Sequence, residues 1–254
     1  KSKKPIIGRT FLPIISHLID AERVGRGNGK SAAILYFPAA GYWQTRRCLM
    51  KQNYTHITVI LDRTGSMEDI RDDTIGGFNS YLEKSKELPG IVTFTLVQFD
   101  SQDPYEILQR FVPIAFVPPL TRETYIPRAT TPLYDAIGYG INDLENCISE
   151  LKEGDRPAKV IFVIITDGQE NASHKFSKKQ IEKMIKKHSD KDGWQFIFLS
   201  ADLEAMSDAQ DIGIKKSASK FFLKTSDEIE EAYDFLFQTA CDYVSSEKDK
   251  DELD

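Results

Sequence analysis

The sequence predicts an α/β fold, a doubly wound and mostly parallel sheet that is flanked by helices and carries one short antiparallel edge strand. Two observations predict this class. From about Tyr54 onward, strand-like segments alternate with segments whose apolar residues follow a helical spacing. In addition, Lys159–Thr166 is apolar on both faces, which is typical of parallel strands buried between two helical layers. Such sheets bind ligands at the carboxyl ends of their strands.

The strands are predicted from short runs rich in β-branched and aromatic residues. They lie at Ile57–Leu61, Ile91–Phe99, Tyr105–Val112, Lys159–Thr166, Trp194–Ser200 and Lys220–Lys224, with Tyr105–Val112 at the edge. The intervening helices are predicted from one apolar face each. They lie at Glu68–Leu88, at Leu133–Leu151, after a Ser177–Gln180 capping box, at Leu203–Ile212 and along Ile229–Val244.

The charge distribution divides the chain at about residue 50. Residues 1–49 carry nine Lys and Arg residues and two acidic residues, which gives a net charge of +7. The whole chain has a net charge of −6, so the remaining residues carry −13. We expect residues 1–49 to be a basic, weakly structured extension with Met50 as the natural start, 50–245 to be one domain, and 246–254 to be an acidic tail. The acidic main body argues against general nucleic-acid binding.

Cysteine use and hydropathy indicate the cellular setting. Cys48, Cys147 and Cys241 are odd in number and widely spaced, which argues against a disulfide framework or a thiolate zinc site. No apolar stretch of the sequence is long enough to span a bilayer. We therefore expect a cytoplasmic protein, in a reducing compartment, without a membrane partner.

A turn of alternating oxygen ligands follows the first strand. Asp62, Thr64 and Ser66 place one carboxylate and two hydroxyls at alternate positions. Mg²⁺ prefers near-octahedral oxygen ligation and readily keeps waters or takes an oxygen from a ligand. This turn supplies only part of such a shell. Taken singly, Asp62 would more often cap the next helix and Ser66 would donate locally.

Two other segments can complete the shell. A hydroxyl of Thr131, or of its neighbour Thr130, would come from just before the second helix. Asp167 ends the most buried strand, and Gly168 allows a sharp turn after it. Because Asp62 and Asp167 both end parallel strands, we expect them on one rim of the sheet.

With these three segments in this order, the chain resembles a von Willebrand factor type A (VWA) domain over roughly Tyr54 to Val244. The metal-ion-dependent adhesion site (MIDAS) of that family is Asp-x-Ser-x-Ser, then a distant Thr, then a distant Asp. Its positions fall here on Asp62, Thr64, Ser66, Thr131 and Asp167. Thr64 replaces the usual first serine and keeps the hydroxyl, while Ala129-Thr130 stands where relatives often have glycine.

The amino-acid sequences of the three motifs are most similar to those of intracellular VWA domains of bacterial or phage type. These motifs are Leu-Asp-Arg-Thr-Gly-Ser-Met, Thr-Pro-Leu-Tyr-Asp-Ala-Ile and Ile-Thr-Asp-Gly-Gln-Glu-Asn. The resemblance implies a Rossmann-like VWA fold and a non-enzymatic module that binds a carboxylate of a protein partner through Mg²⁺. Mn²⁺ and Ca²⁺ are the alternative cations.

Two other functions stay open. A metal-dependent phosphohydrolase or phosphotransferase would also place Asp at strand ends, but the Asp62 turn lacks a second carboxylate to act as nucleophile or general acid. The chain is alternatively a substrate-presenting subunit of an ATPase machine, as some intracellular relatives are. The ATPase would then be a separate protein, because Gly25–Ser31 only approaches a phosphate-binding loop and Val24 stands where that motif needs glycine.

Overall fold

A six-stranded sheet runs through residues 53–246, the part of the chain that this computed structural model describes. The strands are β1 (Tyr54–Asp62), β2 (Ile91–Phe99), β3 (Glu106–Pro113), β4 (Lys159–Thr166), β5 (Gln195–Ser200) and β6 (Ser219–Phe221). Their order across the sheet is β3-β2-β1-β4-β5-β6. All neighbours pair in parallel except β2 and β3, which pair antiparallel at the edge. The predicted fold class is confirmed.

Within the described residues, five helices cover the two faces of this sheet. They are α1 (Arg71–Ser85), α2 (Leu133–Glu150), α3 (Lys178–Lys187), α4 (Leu203–Asp211) and α5 (Ser226–Ser245). Because successive side chains of a strand point to opposite faces, β1 contributes to two separate cores. Val59 packs in the core that α1 and α5 cover, and Ile60 packs in the core that α2, α3 and α4 cover.

The first helix begins later than its apolar pattern predicts. Gly65–Ile70 forms a 3-10 turn, and α1 starts only at Arg71. The N–H of Gly65 donates to the carbonyl of Ala129 at 3.0 Å, so this turn is tied to another loop before the helix can start. At its middle, α1 packs closely on α5, where a Cβ on Gly77 would lie 2.3 Å from the ring of Tyr233.

The last strand is shorter than predicted. β6 ends at Phe221, whereas the sequence pattern extends the strand to Lys224. Beyond this end, the side chain of Lys224 reaches the end of β4, where its ammonium contacts Asp167. By contrast, β4 has the predicted bounds, and the Ser177–Gln180 capping box before α3 is present.

The expected N-terminal extension at 1–49, including Met50 as a start, lies outside the described residues, as does the tail beyond 246. The domain boundaries therefore stay predictions. Within residues 53–246, no helix combines the length and the apolar character that crossing a bilayer requires.

Candidate metal centre

Asp62 ends the central strand β1, and its side chain is fully buried. Its Oδ1 accepts the N–H of Thr64 at 2.6 Å, and its Oδ2 accepts the hydroxyl of Thr166 at 2.6 Å. The hydroxyl of Tyr125 donates to the Asp62 backbone carbonyl, also at 2.6 Å. Burial raises the pKa of Asp62 to about 7, against the opposing effect of the hydrogen bonds from Thr166 and Thr64. The hydrogen bonds to Oδ1 and Oδ2 hold the carboxylate in one orientation at the rim of the sheet.

Three hydroxyls lie beside this carboxylate. The Oγ1 atom of Thr64 is 3.3 Å from Ser66 Oγ and 3.4 Å from Thr131 Oγ1. Ser66 Oγ also donates to Asp167 Oδ1 at 2.6 Å, so it bonds across the rim to the end of β4 rather than locally. The structure thus brings together all five residues that the sequence selects, from three separate segments.

The backbone joins two of these segments directly. The N–H of Arg128 donates to the carbonyl of Arg63 at 2.8 Å, next to the bond from Gly65 to Ala129. Ala129, whose carbonyl accepts the N–H of Gly65, has a φ of 61°, in the left-handed region that favours glycine. A glycine would adopt this conformation without the strain that the Cβ of alanine introduces.

The arrangement favours Thr131 over Thr130 as the ligand. Thr131 is buried, and its backbone exchanges two hydrogen bonds with Asn171, at 2.9 Å to the side-chain oxygen and 3.0 Å from the N–H. Thr130 is exposed, and its backbone pairs with Ser101 instead. Asn171 therefore positions Thr131, a role that the sequence pattern does not reveal.

Two carboxylates brace the loop that follows β4. Glu170 accepts the N–H of Ser173 at 2.7 Å and the N–H of Tyr134 at 2.8 Å, and so ties the loop to the start of α2. Asp135, which is buried, accepts the backbone N–H groups of three consecutive residues, 174–176. Both carboxylates are engaged by the backbone, so they stabilise the loop around the rim.

Arg63, the residue between Asp62 and Thr64, points away from the hydroxyls. Its Nε donates to Asp100 Oδ2 at 2.7 Å, and the same oxygen accepts Arg128 Nε at 2.9 Å. Asp100 is itself buried. These charge-assisted bonds fasten both loops to the residue that follows β2.

Lys224 contacts Asp167, although it belongs to none of the three sequence motifs. Its Nζ lies 2.5 Å from Asp167 Oδ2 and 3.4 Å from the carbonyl of Ser66. The Asp167 side chain has no exposed surface, whereas that of Lys224 is 37% exposed. Lys224 lies 57 residues from Asp167 along the chain, so only the tertiary fold could reveal this pair.

The donor set fits a hard divalent cation. Carboxylate and hydroxyl oxygens are the donors that Mg²⁺ prefers. A Cβ on Gly168 would lie 3.8 Å from Ser66 Oγ and 3.9 Å from Thr131 Oγ1, so the glycine keeps the space between these hydroxyls open. Among residues 53–246, no group of three or more His, Cys, Asp and Glu side chains could hold a metal, so a cation at this rim would depend on the hydroxyls.

Comparisons with known proteins bear on the fold. No protein-family model and no curated protein matches the chain. Among solved structures, proximal thread matrix protein 1 from the mussel byssus (crystal form 2) is 13% identical with a TM-score of 0.51, over 74% of this chain and 48% of that one. The same mussel protein with a zinc-occupied MIDAS motif is 18% identical with a TM-score of 0.50, over 74% and 46%.

A bacterial structure aligns over the same portion. The pilus adhesin SpaC from Lactobacillus rhamnosus GG, in an open conformation, is 12% identical with a TM-score of 0.53, over 75% of this chain and 30% of that one. The chain thus spans less than half the length of each of these proteins. At such identities the likeness shows the fold alone, and that fold is VWA-like.

Proposed function

We propose that this chain is a non-enzymatic protein-interaction module, a VWA domain over residues 50–245 that binds an acidic group of a partner through Mg²⁺ at the β1–β4 rim. The single observation that carries this proposal is the convergence of three hydroxyls with two carboxylates at the carboxyl ends of β1 and β4. The zinc-occupied MIDAS motif of the mussel protein supports a divalent cation at such a rim.

The chemistry of the ligands argues for recognition of an acid. Thr64, Ser66 and Thr131 would bind the ion as neutral ligands, with Asp62 and Asp167 as its carboxylates. A bound divalent cation supplies a strong, fixed positive charge, which is often the largest local charge in a site. With few carboxylates to offset that charge, a carboxylate from a partner protein is the favoured additional ligand.

The phosphohydrolase alternative has less support. The turn at Asp62 offers no second carboxylate, and all four oxygens of Asp62 and Asp167 are already engaged by hydrogen bonds or by Lys224. We propose a cytoplasmic location from the use of cysteine and a VWA domain of bacterial or phage type from the sequence motifs. An ATPase partner is compatible with such a module, but no feature of the described residues favours one.

The decisive experiment measures thermal stability after metal removal and in Mg²⁺, Mn²⁺ or Ca²⁺. We expect the parent chain to gain about 2.7 kcal/mol when the free metal is at 100 times its dissociation constant. Asp62→Ala and Thr131→Val should lose this gain, because each removes a ligand. Thr130→Val is the matched control, and it should keep the gain because that side chain is exposed.

Partner recognition is tested with immobilised peptides that carry Asp, each compared with its Asn counterpart, in Mg²⁺ and after chelation. Binding should need both the carboxylate and the metal. The proposal fails if the parent chain gains no stability from any of the three cations. Turnover of a generic phosphoester that disappears in Asp62→Ala would favour the enzyme instead.

A further inference from the structure

We propose that Lys224 is an internal competitor of the metal, whose ammonium holds Asp167 in the metal-free chain and so sets how tightly the rim binds its cation. This inference rests on the proposed function, because it assumes that a divalent cation binds at the same rim. The contact that points to it is the ion pair of 2.5 Å between Lys224 Nζ and Asp167 Oδ2.

The hydrogen bonds of Asp167 leave a metal little choice of oxygen. Oδ1 already accepts the hydroxyl of Ser66 at 2.6 Å, and that bond can persist when the Ser66 oxygen turns a lone pair to a cation. Oδ2 is the oxygen that Lys224 holds. A metal that contacts Asp167 through Oδ2, directly or through a water, therefore competes with the ammonium for that oxygen.

Lys224 also contacts the backbone of one of the proposed ligands. Its Nζ lies 3.4 Å from the carbonyl of Ser66, the residue whose hydroxyl would bind the ion. A cation bound by Ser66 would therefore lie near the ammonium, and two like charges repel each other more strongly where water is partly excluded. Binding of a cation therefore requires the ammonium to move away or to tolerate a second positive charge beside it.

The pair differs from an ordinary surface salt bridge. Exposed pairs contribute little to stability, because solvent screens them and both side chains lose freedom. Here Asp167 has no exposed side-chain surface, so the loss of Lys224 would leave a buried carboxylate without its cation. Lys224 thus stabilises the metal-free chain and, for the same reason, weakens metal binding. A merely structural role would produce only the first effect.

The experiment compares the full chain with Lys224→Met, Lys224→Gln and Lys224→Arg, by calorimetric titration of the metal-stripped proteins with Mg²⁺ and Mn²⁺ and by thermal melting without metal. We expect Lys224→Met and Lys224→Gln to melt at a lower temperature without metal and yet to bind Mg²⁺ at least about tenfold more tightly. Lys224→Arg, which keeps the charge, should bind Mg²⁺ close to the parent affinity.

Lys220→Met is the matched control. Lys220 lies on β6 and forms an exposed ion pair with Glu231 at 3.4 Å, so its removal should leave the metal affinity unchanged. Equal or weaker Mg²⁺ binding by Lys224→Met, with the parent still binding the metal, would overturn the competition while the metal site stands. If neither the parent nor any Lys224 variant binds a cation, the proposed metal site falls together with this inference.

Discussion

Two polar clusters lie on the same central strand, and they are built differently. Near the start of β1, both ring nitrogens of His56 are hydrogen-bonded, Nδ1 to Thr93 Oγ1 at 2.8 Å and Nε2 to Thr58 and Thr95 Oγ1 at 3.2 Å each. The ring also stacks on Phe111 at a centroid distance of 3.7 Å. These five residues form the His56 cluster, in which donors and acceptors are matched.

The hydroxyls of the rim at the other end of β1 are matched less closely. These hydroxyls contact one another at 3.3 and 3.4 Å, which is long for O–H···O bonds, and a lysine from the far edge of the sheet supplies positive charge to Asp167. Buried polar groups that satisfy each other at short distances stabilise a fold, whereas converging hydroxyls with only long mutual contacts leave lone pairs for an external cation. The comparison teaches that matching, rather than polarity, separates the structural cluster from the candidate site.

The largest expected effect comes from breaking the matched cluster. His56→Ala should lower the free energy of unfolding by roughly 3 kcal/mol, because it leaves a cavity beside Phe111 and leaves threonine hydroxyls without their partner. Urea denaturation measures this loss. Titration of the same variant with Mg²⁺ should give the parent affinity, since the His56 cluster is separate from the rim. A changed metal affinity would show that the two clusters are coupled.

The free energy of unfolding at acid pH should also report on the His56 cluster. Burial lowers the pKa of His56 from 6.5 to about 3. Between these values the unfolded chain binds a proton that the folded chain does not, so the stability contributed by His56 is complete above pH 6.5 and is lost as the pH falls toward 3. The slope from this residue is at most about 1.4 kcal/mol per pH unit.

Urea denaturation of the metal-free protein at several pH values, with His56→Gln as the control, measures this term. The difference in unfolding free energy between the parent and His56→Gln cancels the groups that they share. This difference should shrink as the pH falls below 6.5. A difference that stays constant down to pH 4.5 would contradict the lowered pKa.

The smallest expected effect belongs to Thr64→Ser. This change restores the serine that is usual at the first hydroxyl position of the family motif and removes one methyl group. Because the hydroxyl is kept, we expect the Mg²⁺ affinity to stay within about threefold of the parent, which corresponds to less than roughly 1 kcal/mol. Calorimetric titration measures the change. A loss comparable to that of Thr131→Val would mean that the methyl group itself helps to place the ligand.

The sequence predicts those parts of the molecule that depend on residues adjacent in the chain, such as the ends of buried strands. The bounds of β4 match the prediction because every residue of this strand is buried, so the apolar run ends where the strand ends. The five site residues lie where strands β1 and β4 end, or just before a helix, and a motif can mark such positions. The sequence pattern does not mark the end of β6, and the contact of Lys224 with Asp167 beyond it is made only in the tertiary structure.

The same reason hides the supporting residues. Asn171 and Glu170 resemble ordinary loop residues in the sequence, and their roles depend on Thr131 and Tyr134 from a distant segment. The left-handed backbone of Ala129 is likewise imposed by its bond to Gly65, since nothing about an alanine indicates a positive φ.

The backbone bonds between the two rim loops have a kinetic consequence. Arg128 with Arg63, and Gly65 with Ala129, fasten the loops to each other before any ion arrives. A cation arriving at the proposed site would therefore meet ligands that need no loop folding, and its binding would cost little ordering entropy. The rate of capture would then depend on how fast the ion sheds its own water. Because Mg²⁺ dehydrates reluctantly, Mn²⁺ and Ca²⁺ should load the rim faster than Mg²⁺ does.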